Sequence, residues 1–172
     1  TRFDRAFDRE LLKEIQEKLD QGLLPQWLQT DPDIYEMELN NIFSRTWQFL
    51  GHESELKQPG DYVTRWMVND PVLLVKTNTG EIKAFLNSCT HRGTHLCTAD
   101  FGNKKTFTCP FHGWSFNLDG KLIGIVAGNK VYGEAMDKEE WALRPIPRVE
   151  TYQGLIFGNL DPNAMSLEEY LG

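Results

Sequence analysis

Between residues 4 and 20, Phe7, Leu11, Ile15 and Leu19 recur every four positions with Leu12 alongside, and most of the residues between them are charged. That spacing predicts an amphipathic helix with one apolar stripe, and Gly22 is its expected stop. A second helix is predicted from Asp31, whose carboxylate can cap the free amides. Pro32 would stand in its first turn, and Tyr35, Leu39, Ile42 and Phe43 would face inward. From Trp47 the period changes to short runs rich in Val, Ile, Phe and Tyr, broken by Gly, Pro, Asn and Asp. Strands are expected near 47–51, 61–68, 72–77, 82–87, 106–109, 114–117, 121–125, 145–152 and 154–159. Asn78-Thr79-Gly80 and Leu118-Asp119-Gly120 read as hairpin turns. Asp161-Pro162-Asn163 ends the last strand, and a further helix is expected to start at Ser166. The pattern is mainly β, a small antiparallel domain behind a helical arm.

Composition narrows the class. A length of 172 residues favours one domain with an extension, and 40% apolar with 25% charged residues is ordinary globular usage. No apolar run approaches the roughly 20 residues that span a bilayer, and residues 1–30 hold no stretch resembling a secretory signal. The expectation is a cytoplasmic protein with no membrane partner. A net charge of −7 argues against nucleic acid, because phosphate-binding faces carry a basic excess. Acidic residues in that proportion keep a chain in solution and suit a partner with a basic patch. Three cysteines, two of them beside histidines, fit metal-bound thiolates in a reducing compartment better than a disulfide framework.

Two segments carry the chemistry: Cys89-Thr90-His91-Arg92-Gly93 and Cys109-Pro110-Phe111-His112-Gly113-Trp114. Each supplies one thiolate and one imidazole at a predicted strand end. Zinc fingers usually pair Cys with Cys and His with His along the chain, whereas both halves here are mixed. A 2Fe-2S cluster with Cys89 and Cys109 on one iron and His91 and His112 on the other requires this mixture. Gly93 and Gly113 fit tight loops whose backbones approach a cluster closely. A structural zinc site, or two unrelated Cys–His pairs, are the competing readings. Charge counting gives the redox consequence. Two ferric ions, two sulfides, two thiolates and two neutral imidazoles sum to zero, so an electron is added more easily than to an all-thiolate centre. Histidine ligation accordingly raises potentials to about −150 to +300 mV, against about −400 mV for the plant type. The imidazoles also couple the potential to pH.

At these residues the chain resembles the Rieske domain, the N-terminal part of the α (large) subunits of bacterial aromatic-ring-hydroxylating dioxygenases, which are Rieske non-haem iron oxygenases. The match is Cys89-x-His91-Arg92-Gly93, 17 intervening residues after His91, then Cys109-x-x-His112-Gly113-Trp114. The flanks Ile42 to Trp47, His52 to Leu56, Pro59 to Tyr62, Ala84 to Asn87 and Leu155 to Leu160 extend it over about 30–172. The resemblance implies a Rieske-type antiparallel β-sandwich (the iron–sulfur protein, or ISP, domain) with an N-terminal helical arm. Residues 1–45 would form the arm, 46–160 the cluster domain, and 161–172 the start of a linker or helix toward a catalytic domain outside this chain. In that domain two histidines and a carboxylate would hold a mononuclear Fe(II) that activates O2 for hydroxylation of an aromatic substrate. His52 and His95, the histidines left over, do not form such a pair.

The family further implies electrons received from a ferredoxin or reductase and passed out through His112 to the iron of a neighbouring subunit. The assembly would be a homotrimer of full-length α subunits, with or without a β subunit (α3β3). Arg92 and Trp114 are expected to brace and cover the site. Where respiratory Rieske proteins carry two extra cysteines and a serine, this chain has Thr94, Phe111 and Trp114, which implies a potential toward the low end of the range. Cys97 is read as a structural thiol, His52 as structural and His95 as a loop residue without a ligand role. The alternative is a stand-alone Rieske-type ferredoxin, against which the arm counts.

Overall fold

The computed structural model describes residues 9–126 and 136–172. The chain divides into a unit ending at Arg45 and a unit spanning Thr46–Gly172. In the first, helix α1 (Arg9–Leu19) ends where Gly22 donates to the Leu19 carbonyl and Leu23 to the Lys18 carbonyl, a Schellman closure. Leu11 and Ile15 are half-buried, Leu12 and Leu19 are exposed, and Phe7 lies outside the described residues. After a 3-10 turn at Gln26–Gln29, helix α2 (Pro32–Glu38) starts as expected, with the Asp31 carboxylate accepting from the amides of Asp33 and Ile34.

Helix α2 is shorter than the periodicity suggests. Its winding widens into a π turn at Leu39–Phe43, where the Ser44 amide reaches the Leu39 carbonyl five residues back. The wider turn takes Ile42 and Phe43 off the 3.6-residue stripe. Leu39 is buried, while Ile42, Phe43 and Tyr35 are exposed, which corrects the inward-facing set.

The second unit contains three sheets among the described residues, every strand pair antiparallel. Strands β1 (Gln48–His52), β10 (Leu155–Asn159) and β9 (Arg148–Tyr152) form the first, ordered β1-β10-β9. Strands β2 (Asp61–Met67), β3 (Asp70–Lys76), β4 (Ile82–Leu86) and β5 (Phe101–Asn103) form the second, ordered β4-β3-β2-β5. The third is β6 (Phe107–Thr108), β7 (Ser115–Phe116) and β8 (Leu122–Gly124) in chain order.

The second sheet is the middle layer. Val72, Leu73, Leu74 and Val75 of β3 are all fully buried, because alternate side chains enter two different cores. Val72 and Leu74 pack with Leu50, Val63, Ala84 and Ile156 on the side of the first sheet. Leu73 and Val75 pack with Phe85, Phe107, Phe116 and the three cysteines on the side of the third. An apolar run without polar alternation is what a strand covered on both faces needs.

Strand β5 lies outside the strands that the sequence pattern predicts. Phe101-Gly102-Asn103 is too short to show a period, and Phe101 is largely exposed; the segment is a strand only because it pairs with Asp61–Val63. In the other direction, Pro145 makes only an isolated bridge to Phe85, so β9 begins at Arg148 rather than 145. Helix α3 (Leu167–Leu171) is capped by Ser166, and the Leu167 amide donates to Glu150 of β9. Among the described residues no helix is long and apolar enough to cross a membrane.

Candidate metal centre

Two loops meet over the core shared by the second and third sheets. Loop 1 leaves the end of β4 and carries Cys89 and His91; loop 2 joins β6 to β7 and carries Cys109 and His112. Their backbones close in the same way. In loop 1 the Cys89 amide donates to the Thr94 carbonyl (2.8 Å) and the Gly93 amide to the Cys89 carbonyl (2.7 Å). In loop 2 the Cys109 amide donates to the Trp114 carbonyl (2.7 Å) and the Gly113 amide to the Cys109 carbonyl (3.0 Å).

Each closure needs a left-handed residue four places after the cysteine. Gly93 (φ +76°) and Gly113 (φ +69°) supply it. At Gly113 space is short as well, since a Cβ there would lie 2.5 Å from Val126 Cγ2. The histidine falls two places after Cys89 but three after Cys109, so the match between the loops lies in the backbone.

The side chains sort like with like. Both thiols are buried, neither is in a disulfide, and Cys89 and Cys109 lie within hydrogen-bonding reach of each other. The rings of His91 and His112 stand 4.8 Å apart, centroid to centroid. His91 is half-buried, its Nδ1 atom shielded from solvent, and His112 is exposed. Among the described residues no three His, Cys, Asp or Glu side chains converge as a single metal ion would require. A tetrahedral zinc site needs four donors at about 2.0–2.3 Å from one point. A dinuclear centre takes two protein ligands per metal and leaves the rest to inorganic sulfide, which fits this arrangement.

Local electrostatics suit ligation. Burial, then the nearby Cys109 thiol, pushes the Cys89 thiol above its ordinary value, although amides of its own loop partly offset this. A metal therefore has to displace a proton there. Burial, then the neighbouring His112 and Arg92, lowers the pKa of His91, which keeps its imidazole neutral and able to donate a lone pair.

The remaining sequence candidates divide. Trp114 is buried and stacks on His91 (4.7 Å, 7° between planes), with the edge of Trp141 against it at 5.3 Å. Arg92 is exposed, with no ion pair found for it among the described residues. Cys97 is buried and meets the Tyr62 hydroxyl; burial raises its pKa, and the charge of Lys104 works against that. His95 is exposed against Trp66, and His52 caps the turn at Glu53–Glu55. Sequence reasoning passed over Thr90, whose hydroxyl donates to the Trp141 carbonyl (2.8 Å), and Asn87. The one sequence signal at Asn87 is a polar residue at the end of a predicted strand, directly before the Cys89 loop.

Residues 46–147 match the family model described as the Rieske [2Fe-2S] domain. The chain belongs to the Rieske [2Fe-2S] domain family. This Rieske chain is 44% identical over 152 residues to the benzene 1,2-dioxygenase subunit alpha of Pseudomonas putida, covering 88% of the chain and 33% of that protein. It is 40% identical over 169 residues to the N,N-dimethyl phenylurea N-demethylase subunit alpha of Sphingobium sp. (strain YBL2), covering 98% and 37% respectively. In three dimensions it matches the naphthalene 1,2-dioxygenase of Rhodococcus sp. with a TM-score of 0.88 at 42% identity, over 96% of the chain and 38% of that structure. The chain thus spans about a third of the length of the curated relatives it matches. A Rieske fold implies a 2Fe-2S cluster, and the two relatives named above are the alpha subunits of a dioxygenase and of an N-demethylase.

Proposed function

We propose that this chain is the electron-transfer domain of an aromatic-ring-hydroxylating dioxygenase α subunit, with Cys89, Cys109, His91 and His112 as the ligands of its 2Fe-2S cluster. The sorting of thiol with thiol and imidazole with imidazole carries the assignment. When bound, a cluster of this type accepts and releases one electron at a time. The chain's own residues do the rest. Cys89 and Cys109 hold their sulfurs away from water, Gly93 and Gly113 turn the loops, and Trp114 covers the His91 face. His112 is the exposed imidazole and is assigned the electron-exit side.

Electrons would come from a ferredoxin or reductase and go to a mononuclear non-haem Fe(II) held by a catalytic domain of the full protein, where O2 is activated. The relatives' names support an aromatic substrate and a multisubunit enzyme, with a homotrimer of α subunits or an α3β3 assembly as the expected form. Unpaired cysteines support a cytoplasmic location.

The test is chemical and spectroscopic. Anaerobically purified protein is expected to contain about two irons and two acid-labile sulfides per chain. On reduction it should give the paramagnetic resonance of a mixed-valence pair coupled to nitrogen. A colourless, zinc-loaded preparation would overturn the reading.

A further inference from the structure

The two loops close identically inside, but they are anchored differently. Loop 2 stands on a hairpin: Thr108 pairs with Ser115 and Phe107 with Phe116, so strand backbone holds both of its ends. Loop 1 departs from β4, and its return through Leu96 and Cys97 belongs to no strand. The side chain of Asn87 meets that return instead. Its Oδ1 accepts from the Leu96 amide (3.1 Å) and the Cys97 amide (3.0 Å), and its Nδ2 donates to the Cys97 carbonyl (2.7 Å). The Asn87 amide itself donates to the Pro71 carbonyl at the start of β3 (2.8 Å).

A carboxamide carries the same donor and acceptor groups as a peptide unit. Asn87 is 3% exposed, and Leu96 and Cys97 are as deeply buried, so no water replaces these bonds. Asn87 therefore does for loop 1 what the β6–β7 ladder does for loop 2: it supplies a strand partner where the chain has none.

We propose that Asn87 is a positioning residue for the centre, its carboxamide fixing where Cys89 and His91 stand relative to Cys109 and His112. This rests on the ligand assignment above. Truncation would leave two buried amides and a buried carbonyl without these partners, and each would carry the desolvation penalty of an unmade bond. A loop freed in this way holds its ligands less firmly, while loop 2 keeps its ladder.

The experiment compares cluster-loaded wild type, Asn87→Ala, Asn87→Asp and, as a loop 2 control, Thr108→Val, which loses only a hydroxyl contact to Ser115. Three quantities are read: iron release to a chelator, the nitrogen couplings of the two imidazoles in the reduced protein, and amide exchange at Leu96 and Cys97. Asn87→Ala is expected to release iron at least about tenfold faster, the equivalent of about 1.4 kcal/mol, and to change one nitrogen coupling, with both amides exchanging faster. Asn87→Asp, once ionised, keeps the two acceptor bonds but turns an acceptor oxygen toward the Cys97 carbonyl where the amide donated, so at alkaline pH its iron release is expected to be faster than that of wild type. Thr108→Val is expected to match wild type.

An Asn87→Ala protein with wild-type couplings and release overturns the proposal. Should that variant fail to fold, an Asn87→Asp protein with wild-type couplings and release at alkaline pH, where the carboxyl is ionised, does so. A wild-type preparation without iron and sulfide overturns the ligand assignment instead, and amide exchange at Leu96 and Cys97 then still reports on the loop clamp separately.

Discussion

The indole of Trp114 lies face to face with the imidazole of His91, 4.7 Å between centroids and 7° between planes. Trp114 is 1% exposed, so the contact joins the proposed cluster site directly to the core that also holds Phe107, Phe116 and Leu122. The same residue's carbonyl closes loop 2 by accepting from the Cys109 amide. One side chain thus supports the imidazole of loop 1 while its backbone shapes loop 2.

Trp114→Ala is therefore expected to cost about 3–5 kcal/mol, the range for truncating a buried aromatic side chain. Thermal unfolding should show a large drop in Tm and the visible absorption should bleach. Trp114→Phe keeps a ring against His91 and should retain most of the colour. Equal thermal stability of wild type and Trp114→Ala would contradict the packing role.

Among the three cysteines the effects should split sharply. Cys89→Ser or Cys109→Ser removes a thiolate donor and is expected to abolish cluster assembly, as is His112→Ala. Cys97→Ser, facing Tyr62, should leave the visible spectrum largely intact. Absorption spectra of the four purified variants decide it, and a bleached Cys97→Ser would mean that the ligand set is wrong.

Gly113→Ala meets two obstacles, a backbone at φ +69° and Val126 Cγ2 at 2.5 Å from the added methyl. The left-handed conformation alone costs an L-residue about 1–2 kcal/mol. The double variant Gly113→Ala with Val126→Ala should recover part of the lost stability, because it removes the collision and leaves the strain. Denaturant midpoints of the single and double variants measure the two parts. A double variant no more stable than Gly113→Ala would place the whole cost in the backbone.

Acid should loosen the end of the second unit through Glu150. Burial pushes that carboxyl up, but the Leu167 amide and the Arg148 guanidinium outweigh it and hold the pKa below its ordinary value. A carboxylate depressed on folding stabilises the protein above its unfolded pKa, and the contribution is lost as pH falls through the lower, folded value. Glu150→Gln should consequently be less stable than wild type at neutral pH, with the gap closing in acid below the ordinary carboxylate range. Unfolding curves taken across pH would show a constant gap if Glu150 played no such part.

Much of the fold was legible because its local rules are strong. Asp31 before Pro32 announced a helix start, and Asn78-Thr79-Gly80 a hairpin, and both are present. The failures are equally local in cause. Leu39 to Phe43 keep a helical pattern of residues, but a π turn changes the winding, which side-chain spacing does not encode. Phe101 to Asn103 becomes a strand only through its partner Tyr62, and Asn87 gains its role only because Leu96 and Cys97 return beside it.

Residue identity and spacing were enough to propose the donor set: two thiols and two imidazoles, each loop with a glycine to turn it. That much follows from covalent chemistry, since only certain side chains can donate to iron and only glycine takes the required φ without strain. Which donor faces which was decided by tertiary structure. Bringing Cys89 beside Cys109 and His91 beside His112 depends on two loops, 20 residues apart at their cysteines, being held by a buried sheet, a hairpin and an indole. Contacts between residues distant in sequence form only when the chain packs, and no local pattern records them.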